Sequence, residues 1–117
     1  MLGHTSAVRV WARARPTDLR LGFEGLAALV GREFGRTLQD GDLFLFVNAR
    51  RTSAKVLLWD GSGLCIYAKQ LAAGRFACLW REGGGAQPLR LCTTELNLFL
   101  ERATQHRAPA PHRKPVR

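Results

Sequence analysis

Carboxylates, thiols and imidazoles are the side chains of this sequence that could carry out catalysis. A two-metal nuclease needs acidic residues in a characteristic spacing, such as one position before a lysine on a strand. None of the nine Asp and Glu residues shows it. No Ser, His or Cys has a base at the spacing of an activated nucleophile. The sequence therefore predicts a protein that is not an enzyme.

The thiols and imidazoles are also spaced poorly for a metal. Cys65, Cys78 and Cys92 form no CxxC pair, and the three histidines all lie in the terminal segments. We expect reduced thiols, and neither a metal nor a cofactor. The N-terminus lacks the pattern of a signal peptide, and the apolar runs are shorter than a membrane span. A cytoplasmic protein without a membrane partner is predicted.

Arginine is the residue type of this sequence that is best suited to bind a phosphate-containing ligand. The formal net charge is +9, and 15 of the 18 basic residues are arginine, whose planar fork donates two parallel hydrogen bonds to a phosphate. The stretch 102–117 holds five basic residues, no acid and three prolines. It is typical of a flexible arm that finds polyanions by counterion release. The alternative is a terminus that only improves solubility.

Six basic residues stand out as candidates for contact with nucleic acid: Arg20, Arg50, Arg51, Lys55, Lys69 and Arg75. If residues 54–59 form a strand, Lys55 and Trp59 share one face, and Tyr67 and Lys69 share a face of the next strand. This would give a basic and aromatic sheet surface with Trp59 and Tyr67 in it, a kind that tracks phosphates or stacks bases. The alternative is that these residues cover and solvate the fold.

The elements that must position these residues begin with an alternating stretch at 8–13, which predicts a strand. From Asp18 the apolar residues follow a helical stripe that reaches Phe34, with Gly35 as its end and Thr17 or Asp18 as its cap. Gly22 and Gly25 fall inside this predicted helix. Glycine is tolerated within a helix when another segment of backbone must approach it closely. That contact is either internal packing on the sheet or contact with a partner or a DNA groove.

Strands are predicted at 43–47, 54–59, 64–70 and 75–80, with a short edge strand at 88–92. Asp60 and Gly61 mark a tight turn between the second and third of these strands, and Asp18 marks a helix start. Both positions favour Asp for backbone hydrogen bonding rather than for catalysis. A last helix follows, capped by Thr93 or Thr94.

Helices on both sides of a run of strands predict an α+β fold, with a small antiparallel sheet of four to five strands and helices packed on it. The domain spans 1–101, and 102–117 is a basic, Pro-rich flexible tail. The sequence length suits one such domain.

Several segments, in order, resemble one family of transposon proteins. They are Thr17-Asp18-Leu19-Arg20, Gly22-Phe23-Glu24-Gly25-Leu26, Asp42-Leu43-Phe44-Leu45-Phe46, Arg50-Arg51, Lys55-Val56-Leu57-Leu58-Trp59-Asp60-Gly61, Gly63-Leu64-Cys65, Tyr67-Ala68-Lys69 and Gly74-Arg75-Phe76. The family is the TnpB-type protein encoded by the second open reading frame of the insertion-sequence-66 group. The resemblance covers residues 8–100. Leu21 and Gln70 stand where the family usually has a second basic residue.

The resemblance implies a non-catalytic accessory protein for DNA transposition in bacteria, encoded beside a separate transposase. Its expected partners are DNA, either transposon ends or any sequence, and the transposase of the same element. The alternative is a protein adaptor of the transposase whose folded domain has no DNA site. A homodimer through an edge strand such as 75–80 is compatible with both.

Overall fold

The computed structural model describes residues 8–81, 83–85 and 87–102. Its elements are β1 (Val10–Ala12), α1 (Phe23–Leu29), a π-helix (Val30–Phe34), a 3-10 helix (Leu38–Asp40), β2 (Leu43–Val47), β3 (Ser53–Trp59), β4 (Leu64–Gln70), β5 (Leu89–Leu91) and α2 (Thr93–Glu101). The predicted tail, apart from Arg102, lies outside the described residues.

The five strands form one sheet in the order β4-β3-β2-β1-β5. β2, β3 and β4 are a meander, and β5 pairs antiparallel with β1. β1 and β2 are parallel, with Val10 opposite Leu43. A parallel pair needs a crossover connection, which α1 and the π-helix provide here. The predicted α+β fold and strand number are confirmed, and this one parallel pairing makes the sheet mixed.

Apolar side chains cover both faces of the sheet. On one face, which we call the α1 face, Leu26 and Val30 pack on Phe44, Phe46 and Leu57, and all five are buried. On the opposite face, the α2 face, the buried cluster contains Leu45, Val56, Phe76, Leu96 and Leu100. Strands buried on both faces lack strict alternation, which explains the continuous apolar run of β2.

The first helix begins later than the sequence predicts. The predicted helix starts at Asp18, whereas α1 begins at Phe23 with Gly22 as its N-cap and no side-chain cap. Asp18 instead accepts the backbone N–H of Arg20, and Lys55 Nζ donates to the carbonyls of Leu19 and Leu21. These bonds hold 18–21 outside the helix. The predicted end at Gly35 is confirmed, because Gly35 has the left-handed φ of 63° typical of a helix stop.

The two glycines of this segment do not form a shared face. Gly22 precedes the helix, and apart from its two chain neighbours no residue of the described structure has a heavy atom within 4 Å of the position of a Cβ there. At Gly25 a Cβ would lie 2.7 Å from Leu21 Cδ2. The side chain of Leu21, rather than a second backbone, therefore occupies the space that Gly25 leaves open.

The predicted strand at 75–80 is wrong. Only Arg75 makes a strand-like bridge, and the following residues are irregular. Phe76 is fully buried, and its ring stacks on that of Phe99 with 5.1 Å between the ring centroids. Its backbone N–H donates to Arg51 O. Its ring thus anchors the segment by packing on the α2 face instead of by a ladder of backbone bonds. The homodimer predicted through residues 75–80 consequently has no edge strand there.

The N-cap of the last helix lies one residue before the first of the two predicted caps, Thr93. Cys92 is the N-cap of α2, and the Glu95 carboxylate accepts the Cys92 N–H at 2.8 Å. Thr93 and Thr94 lie in the first turn instead. Among the residues described, no helix has the length and apolar character needed to cross a membrane.

Candidate nucleic-acid interface

A solvent-open groove of about 890 Å³ lies between the β1–α1 connection and the β2–β3 turn. Its walls bring together Arg20 and Arg50, two of the predicted contact residues from distant parts of the chain. We call it the Arg20–Arg50 groove. It is lined by Pro16, Thr17, Asp18, Leu19, Arg20, Asn48, Ala49, Arg50 and Ser53.

The first wall is held against β2 by backbone and side-chain bonds. Thr17 is buried, and its N–H donates to Val47 O at 2.9 Å. Arg13 Nη1 donates to Pro16 O and Thr17 Oγ1. The same guanidinium forms two 2.8 Å bonds to the Glu33 carboxylate, which lower the pKa of Glu33. The wall is therefore positioned before any ligand binds.

The second wall is a tight turn fixed by one amide side chain. Asn48 Oδ1 accepts the N–H groups of Thr52 and Ser53, and Arg51 takes a left-handed φ of 61°. The conformation is uncommon for a residue other than glycine. Arg51 Nη1 turns inward and donates to Phe76 O at 3.0 Å. Arg50 is exposed, and its side chain makes no hydrogen bond within the part of the chain that the structure describes.

The charges of the groove leave a small positive excess. Arg20 is 90% exposed and makes a fork-like pair with Asp18, closest at 2.8 Å. The hydrogen bond from Arg20 lowers the pKa of Asp18 to about 2. This pair uses Nε and Nη2 of Arg20, so Nη1 remains available as a donor toward a ligand. Arg50 adds a second guanidinium on the opposite wall of the groove. This guanidinium makes no hydrogen bond or salt bridge with the described residues.

Arg75 lies close to the same end of the sheet. The bond of 2.7 Å between Phe76 N–H and Arg51 O brings the chain at Arg75 beside the β2–β3 turn. Arg75 is exposed. The structure thus places Arg75 near the β2–β3 turn, in which Arg50 is exposed and Arg51 is half-buried.

The two predicted lysines do not line the Arg20–Arg50 groove. Lys55 Nζ holds Leu19 O at 2.7 Å and Leu21 O at 3.2 Å. Lys69 Nζ donates to Leu100 O at 2.8 Å in the last turn of α2, where a cation stabilises the helix dipole. Each ammonium group thus donates to at least one backbone carbonyl of its own chain. Their observed role is structural.

The aromatic side chains do not form the predicted common surface. Leu57 belongs to the α1-face cluster, so Lys55 and Trp59 share that face. Tyr67 pairs with Val56 and lies on the α2 face, where it is 51% exposed. Trp59 and Tyr67 are therefore on opposite sides of the sheet. Nothing in their placement offers one platform for stacked bases.

A cluster that the sequence patterns did not reveal surrounds Trp11. The buried Asp42 carboxylate accepts Trp11 Nε1 and Arg36 Nε, each at 3.0 Å, and lies 3.5 Å from Arg9. The guanidinium groups of Arg36 and Arg90 lie over the Trp11 ring at 4.7 and 5.4 Å. Residues so far apart in sequence meet only through the β1–β2 and β1–β5 pairings. The only sign of this cluster in the sequence was the alternation of apolar and polar residues at 8–13, which placed Arg9 and Trp11 on the same face of the strand.

The hairpin turn has the predicted structure. Asp60 Oδ1 accepts the N–H groups of Ser62 and Gly63 and the Ser62 hydroxyl, and Gly61 has a left-handed φ of 102°. These backbone bonds are the main cause that lowers the pKa of Asp60 to about 2. Burial, and then the nearby Asp60 carboxylate, raises the pKa of the Cys65 thiol. The described residues contain no group of three His, Cys, Asp or Glu that could hold a metal ion.

Two proteins of Sinorhizobium fredii are similar to this chain. The uncharacterized protein y4hO is 39% identical over 84 residues, which is 72% of this chain and 73% of that protein. The uncharacterized protein y4jC is 36% identical over 76 residues, 65% of each chain. No solved structure matches the chain. The model of the IS66 Orf2-like protein family matches residues 8–109. This protein therefore belongs to the IS66 Orf2-like family and has a transposition-associated accessory role.

Proposed function

We propose that this protein binds DNA during transposition through the Arg20–Arg50 groove and the adjacent Arg75. The observation that carries the proposal is the position of Arg50, exposed and unpaired within the described chain, across the groove from the available Nη1 of Arg20. Guanidinium groups on two fixed walls match a row of phosphates. The net charge of +9 adds attraction at longer range.

The binding mode that this arrangement supports is contact with the phosphate backbone of a duplex. Stacking of single-stranded bases needs exposed aromatic rings beside the basic groups, and Trp59 and Tyr67 do not line the groove. Two to three arginines without an aromatic platform suit positioning on DNA more than reading of its sequence. Weak sequence dependence and strong salt dependence follow.

Fluorescence anisotropy with duplex DNA from the transposon ends, a scrambled duplex and single strands tests this proposal across a salt series. We expect the Arg20→Ala/Arg50→Ala variant to bind duplex more weakly and to reduce the salt slope by about 1 for each phosphate that it no longer neutralises. Arg15→Ala/Arg32→Ala removes the same charge from exposed positions outside the groove. This control should keep most of the affinity.

A second variant separates the folded domain from the tail. It keeps the full chain and replaces by glutamine the basic residues Arg107, Arg113, Lys114 and Arg117. If the tail variant loses all DNA binding while the Arg20→Ala/Arg50→Ala variant retains its DNA affinity, the groove is not the DNA site.

The second candidate function is an adaptor that binds the transposase without a DNA site in the folded domain. It is favoured by the internal bonds of Lys55, Lys69 and Arg51, which leave only part of the predicted basic set at the surface. Association with the transposase that persists at high salt, together with no DNA binding by any variant, would support it.

A further inference from the structure

In the part of the chain that the structure describes, the outer edge of β4 is the longest strand edge without a neighbouring strand. β4 pairs with β3 over seven consecutive positions without a bulge, and no strand of the described chain lies on its other side. The opposite edge strand, β5, has only three residues. Native proteins usually protect open edges by shortening, proline, bulges or outward charge. β4 has neither proline nor a bulge, and its one lysine is bonded to Leu100 O.

The direction of the backbone groups along β4 follows from two bonds at the ends of the hairpin. Asp60 N–H donates to Gly63 O, and Leu71 N–H donates to Thr52 O. Bonded and non-bonded pairs alternate in an antiparallel ladder, so in the observed register Tyr67 directs its N–H and C=O toward β3. The outward groups, which have no backbone partner among the described residues, belong to Leu64, Ile66, Ala68 and Gln70.

These outward groups are symmetric about Tyr67, the middle residue of β4. An identical strand laid antiparallel across the edge pairs Ile66 with Ala68 and Leu64 with Gln70, and every outward N–H and C=O then finds a partner. Tyr67 would face its own copy as a non-bonded pair, the type in which the side chains approach most closely. The Tyr67 side chain is 51% exposed on the α2 face and is available for this contact.

Apolar surface beside the edge would be covered at the same time. Tyr67 lines an open groove of about 490 Å³ on the α2 face, together with Val56, Leu58, Leu96 and Leu100. On the α1 face, the half-buried Ile66 would gain the Ala68 methyl group of the second copy. Exposed apolar surface at an open edge marks a site of association.

The charge pattern of β4 also fits self-association. In the symmetric register Lys69 lies opposite Cys65, so the two Lys69 residues are four positions apart, about 14 Å along the strands. This exceeds the Debye length of about 8 Å at physiological ionic strength. No like charges meet directly across the contact, although each chain carries a net charge of +9.

We propose that a second copy of this chain pairs antiparallel with β4 about a two-fold axis at Tyr67, which joins the two sheets into one. The axis is perpendicular to the sheet, so both α1 faces point the same way and the two Arg20–Arg50 grooves lie at opposite ends of the dimer. The proposal does not depend on DNA binding, because the contact and its test involve no nucleic acid.

The oligomeric state of the full-length protein tests the proposal by sedimentation velocity over a concentration series. Ala68→Pro removes an outward N–H, and proline is tolerated at such positions of an edge strand. We expect this variant to remain folded and to dimerise at least about tenfold more weakly. Ala68→Thr keeps the N–H and should dimerise like the natural protein. A monomeric natural protein throughout the series, or an unchanged dimer in folded Ala68→Pro, would overturn the proposal.

The position of the axis is tested by two further measurements. Tyr67 is the only tyrosine of the chain, so photo-oxidation should link two chains covalently through dityrosine, and folded Ala68→Pro should lose the product. Tyr67→Lys and Tyr67→Glu should each be monomeric, and their mixture should form a heterodimer because opposite charges then meet at the axis. Failure of the mixture to associate while the natural protein dimerises would place the interface elsewhere.

Discussion

Several charged side chains of this protein bind its own backbone carbonyls. Lys55 ties the connection before α1 to β3, Lys69 closes the last turn of α2, and Arg51 holds the chain at Phe76. A carbonyl left without a donor in a partly buried place costs about 1 to 3 kcal/mol. These residues therefore stabilise the positions of the connecting segments, whereas Arg50 has no such partner among the described residues.

Replacement of Lys55 by methionine should separate stability from DNA binding. The variant leaves the carbonyls of Leu19 and Leu21 without their donor, so we expect the free energy of unfolding to fall by about 1 to 3 kcal/mol. Arg50→Met is the matched control and should change stability by under about 0.5 kcal/mol. Urea denaturation measures both values. Folded Lys55→Met should lose less DNA affinity than Arg50→Met, and an equal loss would show that Lys55 contributes to binding, either by contact with DNA or by holding the groove wall at Leu19.

The Asp60 carboxylate should make the hairpin turn sensitive to acid. Its pKa is about 2 in the folded protein against an ordinary value of 3.8, mainly because of the Ser62 and Gly63 N–H groups. The charged form therefore stabilises the fold above pH 3.8, and this contribution disappears as the pH falls toward 2. The melting temperature of Asp60→Asn should lie below that of the natural protein near neutral pH.

Thermal melts between neutral pH and pH about 2 test this expectation. The pH must fall this far because the contribution of the Asp60 charge to stability is lost only as the pH reaches the pKa of Asp60 in the folded protein. The gap between the natural protein and Asp60→Asn should narrow as the pH falls. Asp40→Asn, at an exposed site without a side-chain hydrogen bond in the described chain, should show a smaller gap at neutral pH. A gap that is constant with pH would show that the Asp60 charge does not contribute.

The segments between regular elements are held by a few side-chain contacts and isolated backbone bonds rather than by strand ladders. The stretch after β4 has no ladder beyond Arg75, yet its Phe76 ring is fully buried and stacks on Phe99 of α2. The β1–α1 connection is held by Arg13, which binds both Glu33 and Pro16 O. In such segments, packed side chains and ion pairs take the place of repeated backbone bonds.

Truncation of the Phe76 anchor should therefore be severe. We expect Phe76→Ala to lower the free energy of unfolding by about 3 to 5 kcal/mol, the range for a fully buried aromatic side chain. Phe23→Ala removes the same atoms from a site that is 49% exposed and should cost under about 1 kcal/mol. Chemical denaturation compares the two variants. Equal losses would mean that Phe76 is not a core residue.

The sheet is the shared centre of a three-layer molecule. β2 and β3 contribute to both hydrophobic clusters, with Phe44 and Leu57 under α1 and Leu45 and Val56 under α2. Neither layer can lose its packing without exposing strands that the other layer needs. Small domains of this kind usually unfold in one cooperative step.

Unfolding of the two layers should accordingly coincide. Trp11 packs against the α1-face cluster and Trp80 against the α2-face cluster. Two single-tryptophan variants, with the other tryptophans replaced by phenylalanine, report on each layer by fluorescence. We expect the same midpoint in urea from each probe and from far-UV circular dichroism of the same variant. Separate midpoints within one variant would show that the layers unfold independently.

Local patterns in the sequence were enough to predict the strands at 43–47 and 64–70, the Asp60–Gly61 turn, the Gly35 helix end and the α+β class. Each depends on neighbours within a few residues, through side-chain alternation, helical period and turn chemistry. The segments that resemble the IS66 group likewise indicated the family from sequence, and the family match confirms it.

Pairings between distant residues could not be predicted in this way. The parallel β1–β2 pairing, the late start of α1 and the separation of Trp59 from Tyr67 all depend on which strands become neighbours and which face each side chain takes. The bonds of Lys55 and Lys69 span 36 and 31 residues. A basic residue has the same local signature whether it meets a phosphate or a carbonyl of its own chain, so only packing in three dimensions distinguishes the two.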